Sequence, residues 1–134
     1  MKFDLPKNGV VADIEELDWF KPDSIKFVSM ALVGDGSMDL TVVAGDVLYK
    51  RVLLEPFFMT VRHILELKKN SNLLLCHIPR AGVEQSDVVS TAKSIGLQIE
   101  PVSEDLWKNE EVLKYCPEED SSRAAVYNII LSCI

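Results

Sequence analysis

The feature that most constrains the fold is an alternation of short apolar runs with segments that carry helix signals. Four runs are rich in Val, Ile and Leu and are bounded by turn residues, as strands are: residues 38–44, 73–78, 97–102 and 124–133. Between the first two, Phe57, Val61 and Ile64 recur at the spacing of an apolar helix face. Strands that alternate with helices predict an α/β fold with a mainly parallel sheet, whose last two strands form an antiparallel pair.

Helix ends are indicated by proline, glycine and capping residues. Pro56 is acceptable only in a first turn, so we expect a helix to begin near Leu54. Ser86 or Asp87 is expected to cap a second helix, which Gly96 ends because glycine suits the left-handed position there. Acids near residue 104 favour a short helix as far as residue 115, and residues 116–123 are expected to form a polar loop.

The N-terminal third is predicted less sharply. Residues 10–17 indicate a short strand that ends at Asp18-Trp19, residues 25–32 are ambiguous, and residues 34–37 indicate a turn. The run from Leu40 to Ala44 is dense in β-branched residues, so we expect a strand buried on both faces that carries Gly45-Asp46 to its tip.

Composition excludes several classes of function. A chain of 134 residues with 48% hydrophobic content predicts one domain over residues 1–134. A net charge of -7 argues against nucleic acid as a partner. The three cysteines lack C-x-x-C spacing, which argues against a zinc site. No apolar run approaches the roughly 20 residues of a membrane span and no signal peptide is indicated, so we expect no membrane partner and a cytoplasmic location, with the nucleus as the alternative.

Candidate functional residues follow the predicted strands, because ligands of open α/β sheets bind at the carboxyl ends of strands. Each candidate has a structural alternative. Asp18-Trp19 could be a turn acid beside a core indole. Asp46 could cap a helix, Tyr49 could be a packing ring, and Arg80 is better interpreted as a solvated loop arginine.

Two motifs carry a resemblance to a known family. Residues 39–49, DLTVVAGDVLY, followed by residues 53–58, LLEPFF, resemble the fourth strand and next helix of the seven-strand, Rossmann-like, S-adenosylmethionine-dependent protein-lysine methyltransferases. The hallmark of that family, an acid-x-x-aromatic motif, would be Asp46-Val47-Leu48-Tyr49, and its Leu-x-Trp tripeptide would be Leu17-Asp18-Trp19. The resemblance therefore rests on two motifs in the family's order.

The resemblance implies a partial sheet with the family's strands in the order 4-5-7-6, plus a segment like its strand 3, and with the last strand of the chain antiparallel. It implies that Trp19 lies against the adenine of S-adenosylmethionine, that Asp18 lies near the adenine amino group, and that Ala44 and Gly45 line the methionine end. Asp46 and Tyr49 would be the catalytic pair that faces a lysine of a protein substrate. Methyl transfer needs a deprotonated amine held in line with the sulfonium more than it needs a covalent catalyst.

The sequence departs from the family in two respects. Ala44-Gly45 stands where relatives usually have Gly-Ala, and the G-x-G-x-G loop and the acid that bind the methionine and ribose are missing. We therefore expect a truncated or partial methyltransferase chain that is inactive alone.

Two further classes of function stay open. One is a non-catalytic, methyltransferase-like interaction module: loss of the family's strand 1 would leave the edge of the Leu40–Ala44 strand free for a partner strand or self-association. The other is an unrelated small α/β binding domain. His63 and His77 are interpreted as structural histidines, and the acids at 118–120 as a solvated loop.

Overall fold

The structure, a computed structural model, describes residues 2–5, 10–26 and 39–132. It contains a four-stranded sheet and a separate two-stranded sheet. The strands are β1 (Lys2–Leu5), β2 (Val10–Asp13), β3 (Leu40–Gly45), β4 (Ser71–His77), β5 (Leu97–Pro101) and β6 (Ala125–Leu131). The longer helices are α1 (Leu54–Glu66) and α2 (Gln85–Ser94), and three short ones are α3 (Glu104–Trp107), α4 (Glu110–Tyr115) and α5 (Glu118–Arg123).

The four-stranded sheet has the order β3-β4-β6-β5. Strands β3 and β4 are parallel, and β6 is antiparallel to both β4 and β5. The predicted order of these four strands is therefore confirmed, as is the reversed direction of the last one. Their predicted bounds are off by at most two residues; β4, for example, begins at Ser71 instead of Leu73.

The N-terminal strand differs from its prediction. Strand β2 ends at Asp13, which pairs with Lys2 at the start of β1, and both strands form an antiparallel sheet of their own. Residues 14–17 are not part of a strand, so the prediction of a strand that runs to Leu17 is wrong. The strand-3-like segment thus belongs to a hairpin outside the main sheet. Residues 22–26 are helical, and the predicted turn at 34–37 lies outside the described residues.

Helix α1 begins at Leu54, as predicted, with Pro56 in its first turn. Its buried side chains follow the apolar stripe seen in the sequence, and Phe58 and Leu65 are fully buried. The helix is preceded by a 3-10 turn at Arg51–Leu53 and packs against β4 and β6. With 13 residues it is the longest helix of the described residues, and none of their helices is long and apolar enough to cross a bilayer.

Helix α2 is capped differently from the prediction. Glu84 is the N-cap residue, and Asp87 completes a capping box by accepting the backbone N–H of Glu84, so neither Ser86 nor Asp87 is the cap. The helix ends before Gly96, whose φ of 89° confirms the expected left-handed position. Helix α2 packs on β5, and its buried Val88 joins the core.

Both helices cover one face of the sheet, the covered face, whose side chains include Leu73, Leu75, Ile99, Tyr127 and Ile129. Alternate residues point to the other face, the open face: Thr41, Val43, Asn72, Leu74, Cys76, Gln98, Glu100, Val126, Asn128 and Ile130. None of these is buried, and Val43 is 76% exposed. The expectation that Leu40–Ala44 is buried on both faces is wrong, because α1 and α2 lie on the same side.

The segment between β5 and β6 contains more helix than predicted. The predicted helix from residue 104 to 115 is broken at Lys108-Asn109 into α3 and α4, and the Asn109 side chain caps α4 by accepting the N–H of Val112. The predicted polar loop contains α5, which begins after Pro117 with acids in its first turn.

Candidate functional site

The ends of β3 and β4 form one edge of the sheet because these strands are parallel and in register, with Gly45 opposite Cys76. We call the loops that follow them, residues 46–50 and 78–84, the carboxyl rim. Asp46 is the first rim residue after β3, and its N–H donates to the carbonyl of Cys76 at 3.1 Å. Its φ of 52° is left-handed, a conformation that Asp tolerates better than most residues. The backbone therefore holds the Asp46 carboxylate at the tip of the sheet.

That carboxylate is engaged by Arg80, from the loop after β4. Arg80 Nε donates to both carboxylate oxygens of Asp46, at 3.0 and 3.1 Å. Arg80 Nη2 also lies 3.7 Å from Asp120 Oδ2, and the other Asp120 oxygen pairs with Arg123 at 3.5 Å. Arg80 is thus an exposed loop arginine that also pairs with two acids, and Asp46 does not cap a helix. A charged row of alternating sign, Asp46-Arg80-Asp120-Arg123, crosses the rim.

The loop that carries Arg80 is tightly built. Ala81 and Gly82 are both left-handed, with φ of 51° and 79°, and the N–H of Val83 donates to the Arg80 carbonyl at 2.9 Å. Arginines bind the loop from both sides: Arg123 Nη1 donates to the Pro79 carbonyl and Arg51 Nη1 to the Gly82 carbonyl, each at 3.1 Å. These contacts fix the backbone that positions Arg80.

A buried polar network supports the rim from below. His77 is 1% exposed, and its Nε2 lies 2.9 Å from the Val83 carbonyl. Gln85 Nε2 donates to the His77 carbonyl, and Tyr127 Oη donates to Gln85 Oε1, both at 2.8 Å. Burial raises the pKa of the Tyr127 hydroxyl. His77 therefore has the structural role expected from the sequence.

Tyr49 lies in the rim loop that joins β3 to α1. The neighbouring Leu48 is 1% exposed and anchors this loop in the core, whereas Tyr49 is 53% exposed. About half of the Tyr49 side chain is thus accessible, and the alternative, a packing ring with its hydroxyl at the surface, stays a prediction. The loop presents to solvent a half-exposed acid and, three residues later, an exposed aromatic ring.

Asp18 and Trp19 form a turn and a core contact. Asp18 Oδ1 accepts the N–H of Phe20 at 2.9 Å, and the Asp18 N–H donates to Ser24 Oγ at 2.9 Å. Trp19 packs edge-on against Phe57, with ring centroids 4.9 Å apart at 63°. Phe57 lies in the first turn of α1, the end of that helix nearest the tip of β3. These contacts are those of the structural alternative, a turn acid beside a core indole, and Trp19 is only partly buried.

Ala44 and Gly45 lie on opposite faces of β3. Ala44 is half-buried and packs against the core, whereas Gly45 is exposed, and a Cβ built on Gly45 would meet no heavy atom within 4 Å. Of this pair, only Gly45 leaves open space beside the Asp46 backbone.

Cys76 is a rim neighbour that sequence reasoning did not select. Burial raises the pKa of its thiol, and the nearby Cys116 and Asp46 raise that pKa further. Its position opposite Gly45 in the predicted parallel pair was the available signal.

The arrangement suits recognition of a cation by a carboxylate and an aromatic ring. Within the described residues, no three His, Cys, Asp or Glu side chains lie where they could hold a metal ion. A groove of about 810 Å³ lies at the opposite end of the sheet, lined by residues 65–72 and 130–132, and does not include the predicted site residues.

No family model matches the chain, and a search of curated proteins finds no match.

Proposed function

We propose that this chain is the C-terminal half of a Rossmann-like methyltransferase domain, which methylates a lysine of another protein when a polypeptide supplies the missing cofactor-binding segment. The observation that carries the proposal is the order β3-β4-β6-β5 with β6 alone reversed, combined with Asp46 and Tyr49 at the tip of β3. This is the order and the motif position that the resemblance implies.

The roles proposed for the acceptor side follow from exposure and charge. The Asp46 side chain is 47% exposed and attracts an ammonium group, while the exposed Tyr49 ring offers a cation–π contact of about 0.5–1 kcal/mol. These two residues would orient the target lysine, whose amine must lose a proton before it attacks.

The residues on the cofactor side fit two parts of S-adenosylmethionine, the adenine and the methionine end. The cofactor would supply an electrophilic methyl group on a sulfonium. The exposed part of the Trp19 ring suits the adenine, and the space beside Gly45 suits the methionine end. The chain lacks the glycine-rich backbone and the ribose acid. Each lost charge-assisted hydrogen bond weakens binding by about 1.5–3 kcal/mol, so we expect the chain alone to bind the cofactor feebly and to transfer no methyl groups.

Tryptophan fluorescence tests this proposal, because the chain has two tryptophans. S-adenosylmethionine should change the emission of the wild-type and Trp107→Phe chains at millimolar concentrations, and the change should disappear in Trp19→Phe. A micromolar dissociation constant would contradict a half-site, and no response of Trp19 would contradict its cofactor role. Once the missing half is restored, Asp46→Ala and Tyr49→Ala should abolish transfer while the fold survives.

A second candidate, a non-catalytic interaction module, is favoured by the open face. Its most exposed apolar part, Val43 and Leu74 on adjacent strands, is about as wide as one helix. The other two strands add the polar Asn128 and Glu100 beside the partly buried Val126 and Ile130. The occupant we infer is an amphipathic helix of a partner protein, with a basic residue opposite Glu100.

A synthetic amphipathic helix of Leu and Lys tests this candidate. It should bind the wild-type chain more tightly than its Leu and Glu counterpart does, and Val43→Lys should abolish binding. Equal binding of both peptides, or a stable dimer of the chain by light scattering, would contradict this occupant.

A further inference from the structure

Arg80 is shared between two acids that come from different parts of the fold. Asp46 follows β3, whereas Asp120 lies in α5, and Arg80 reaches the first with Nε at 3.0 Å and the second with Nη2 at 3.7 Å. The contact with Asp46 is the closer one. The contact with Asp120 is longer than a charge-assisted hydrogen bond, so Arg80 holds Asp120 more loosely than Asp46.

The two acids differ in their surroundings. The Asp46 side chain is 47% exposed, so a cation from solvent can reach it, whereas that of Asp120 is 25% exposed. Asp120 also pairs with Arg123, which is anchored through the Pro79 carbonyl. Arg80 therefore has an accessible partner and a sheltered one.

The backbone around Arg80 leaves the side chain as the part that can move. The turn at 80–83 is closed by its own hydrogen bond and bound by Arg51 and Arg123. A rotation of the arginine side chain between two acids needs no change in this turn and leaves neither position of the guanidinium without a carboxylate.

We propose that Arg80 is a positioning residue whose guanidinium pairs with Asp46 until a cationic side chain binds there. The Arg80 side chain then rotates, and its guanidinium pairs with Asp120. This rests on the proposed function in one respect, that the arriving cation is the ammonium of a target lysine. In the resting chain Arg80 neutralises Asp46 and excludes weakly bound cations. Displacement of Arg80 from Asp46 costs little free energy, because the displaced guanidinium keeps Asp120 as a partner.

This rotation of Arg80 predicts that two substitutions in the charged row have opposite effects on the binding of a lysine side chain. Arg80→Gln frees Asp46 and should tighten binding of a lysine side chain, by about two- to fivefold for an exposed ion pair. Asp120→Asn removes the second partner, retains Arg80 on Asp46 and should weaken binding by a similar factor. A role limited to holding the loop would instead weaken binding in both variants.

The experiment titrates Nα-acetyl-lysine amide into the ¹⁵N-labelled chain and follows the backbone amide signals of residues 46 and 49 by NMR. The norleucine analogue, which lacks the charge, should not bind, and Asp46→Asn should abolish the response. Lys114→Gln and Glu111→Gln remove the same charges from an exposed pair in α4 and should leave the affinity unchanged.

The double variant, Arg80→Gln with Asp120→Asn, distinguishes rotation of Arg80 between the two acids from simple long-range electrostatic attraction. If Asp120 acts through Arg80, adding Asp120→Asn to Arg80→Gln should change nothing further, whereas independent charges would give additive effects. Additive effects, effects of the same sign, or no effect would each overturn the proposal. The titration needs no methyl donor, so opposite, non-additive effects would support the rotation of Arg80 even if methyl transfer were disproved.

Discussion

The two faces of the four-stranded sheet are made by the same strands but have opposite surroundings. Along β4, Leu73, Leu75 and His77 are buried under α1 and α2, while Leu74 between them is 36% exposed on the open face. The covered face is nearly all apolar. The open face mixes Val43 and Leu74 with Asn72 and Asn128, whose side chains hydrogen-bond at 2.8 Å.

This difference separates stability from recognition. A packed apolar face supplies most of the free energy of folding, whereas residues that stay in water can be chosen for contacts with other molecules. The candidate acid Asp46 follows Gly45, an open-face residue, and Cys76 lies opposite Gly45. Substitutions on the two faces should therefore change different properties.

The largest expected contrast is between two adjacent leucines. Leu75 is fully buried, so Leu75→Ala should lower the free energy of unfolding by about 2–5 kcal/mol through lost contacts and a cavity. Leu74→Ala, one residue away, should lower it by less than about 1 kcal/mol. Urea unfolding of both variants measures the contrast. Equal losses would mean that the open face is also a core.

Two glycines give the next contrast. Gly96, after α2, has a φ of 89°, so Gly96→Ala should destabilise the chain by about 1–2 kcal/mol even though Arg62 leaves room for the added carbon. Gly45 is not left-handed and faces open space, so Gly45→Ala should be neutral or stabilising by up to about 1 kcal/mol. Thermal unfolding checks both, and a destabilising Gly45→Ala would reveal a contact at the rim.

The sequence predicts the covered face better than the open one, for a physical reason. Helix α1 and the four main strands have strong apolar periodicity, and the order of the strands follows from the resemblance to a known family. A short run rich in β-branched residues, such as Leu40–Gly45, has the same sequence pattern whether one face of the strand is buried or both are. Which face stays open depends on where α1 and α2 pack, and local periodicity does not encode that.

The candidate site is predictable only in part. Asp46 and Tyr49 were selected because they follow a strand, and the structure places them in one rim loop. The Arg80–Asp46 pair was missed, because it joins residues 34 positions apart through a left-handed turn at Ala81-Gly82. Helix α5 was predicted as loop because acidic and serine residues favour both helix starts and loops.

A smaller effect concerns Asp87, the residue that completes the capping box of α2, the helix that covers β5. The backbone N–H of Glu84 and then the Arg51 guanidinium hold the pKa of Asp87 below its ordinary value of 3.8. A depressed pKa stabilises the folded chain above pH 3.8, and this stabilisation disappears as the pH falls through the folded-state pKa.

Urea midpoints measured from pH 7 to pH 2 test this. Asp87→Asn should lower the midpoint at neutral pH, and the gap from wild type should narrow in acid, once Asp87 is protonated in both states. Glu111→Gln, a change in an exposed pair, should follow wild type throughout. A gap that stayed constant with pH would show that the carboxylate charge is not what stabilises α2.

The smallest expected effect is on the open face, at Cys76. Thiols react as thiolates, so the raised pKa of Cys76 should make its alkylation by iodoacetamide at pH 7–8 slower than that of an unstructured cysteine. Asp46→Asn removes one of the charges that disfavour this thiolate, and it should accelerate alkylation by less than about threefold. Asp39→Asn removes the same charge beyond the other end of β3 and should have no effect, because water and salt screen it. Site-resolved mass spectrometry separates Cys76 from the other cysteines. Equal acceleration by both substitutions would mean that Cys76 responds to the net charge of the chain and not to the acid at the tip of β3.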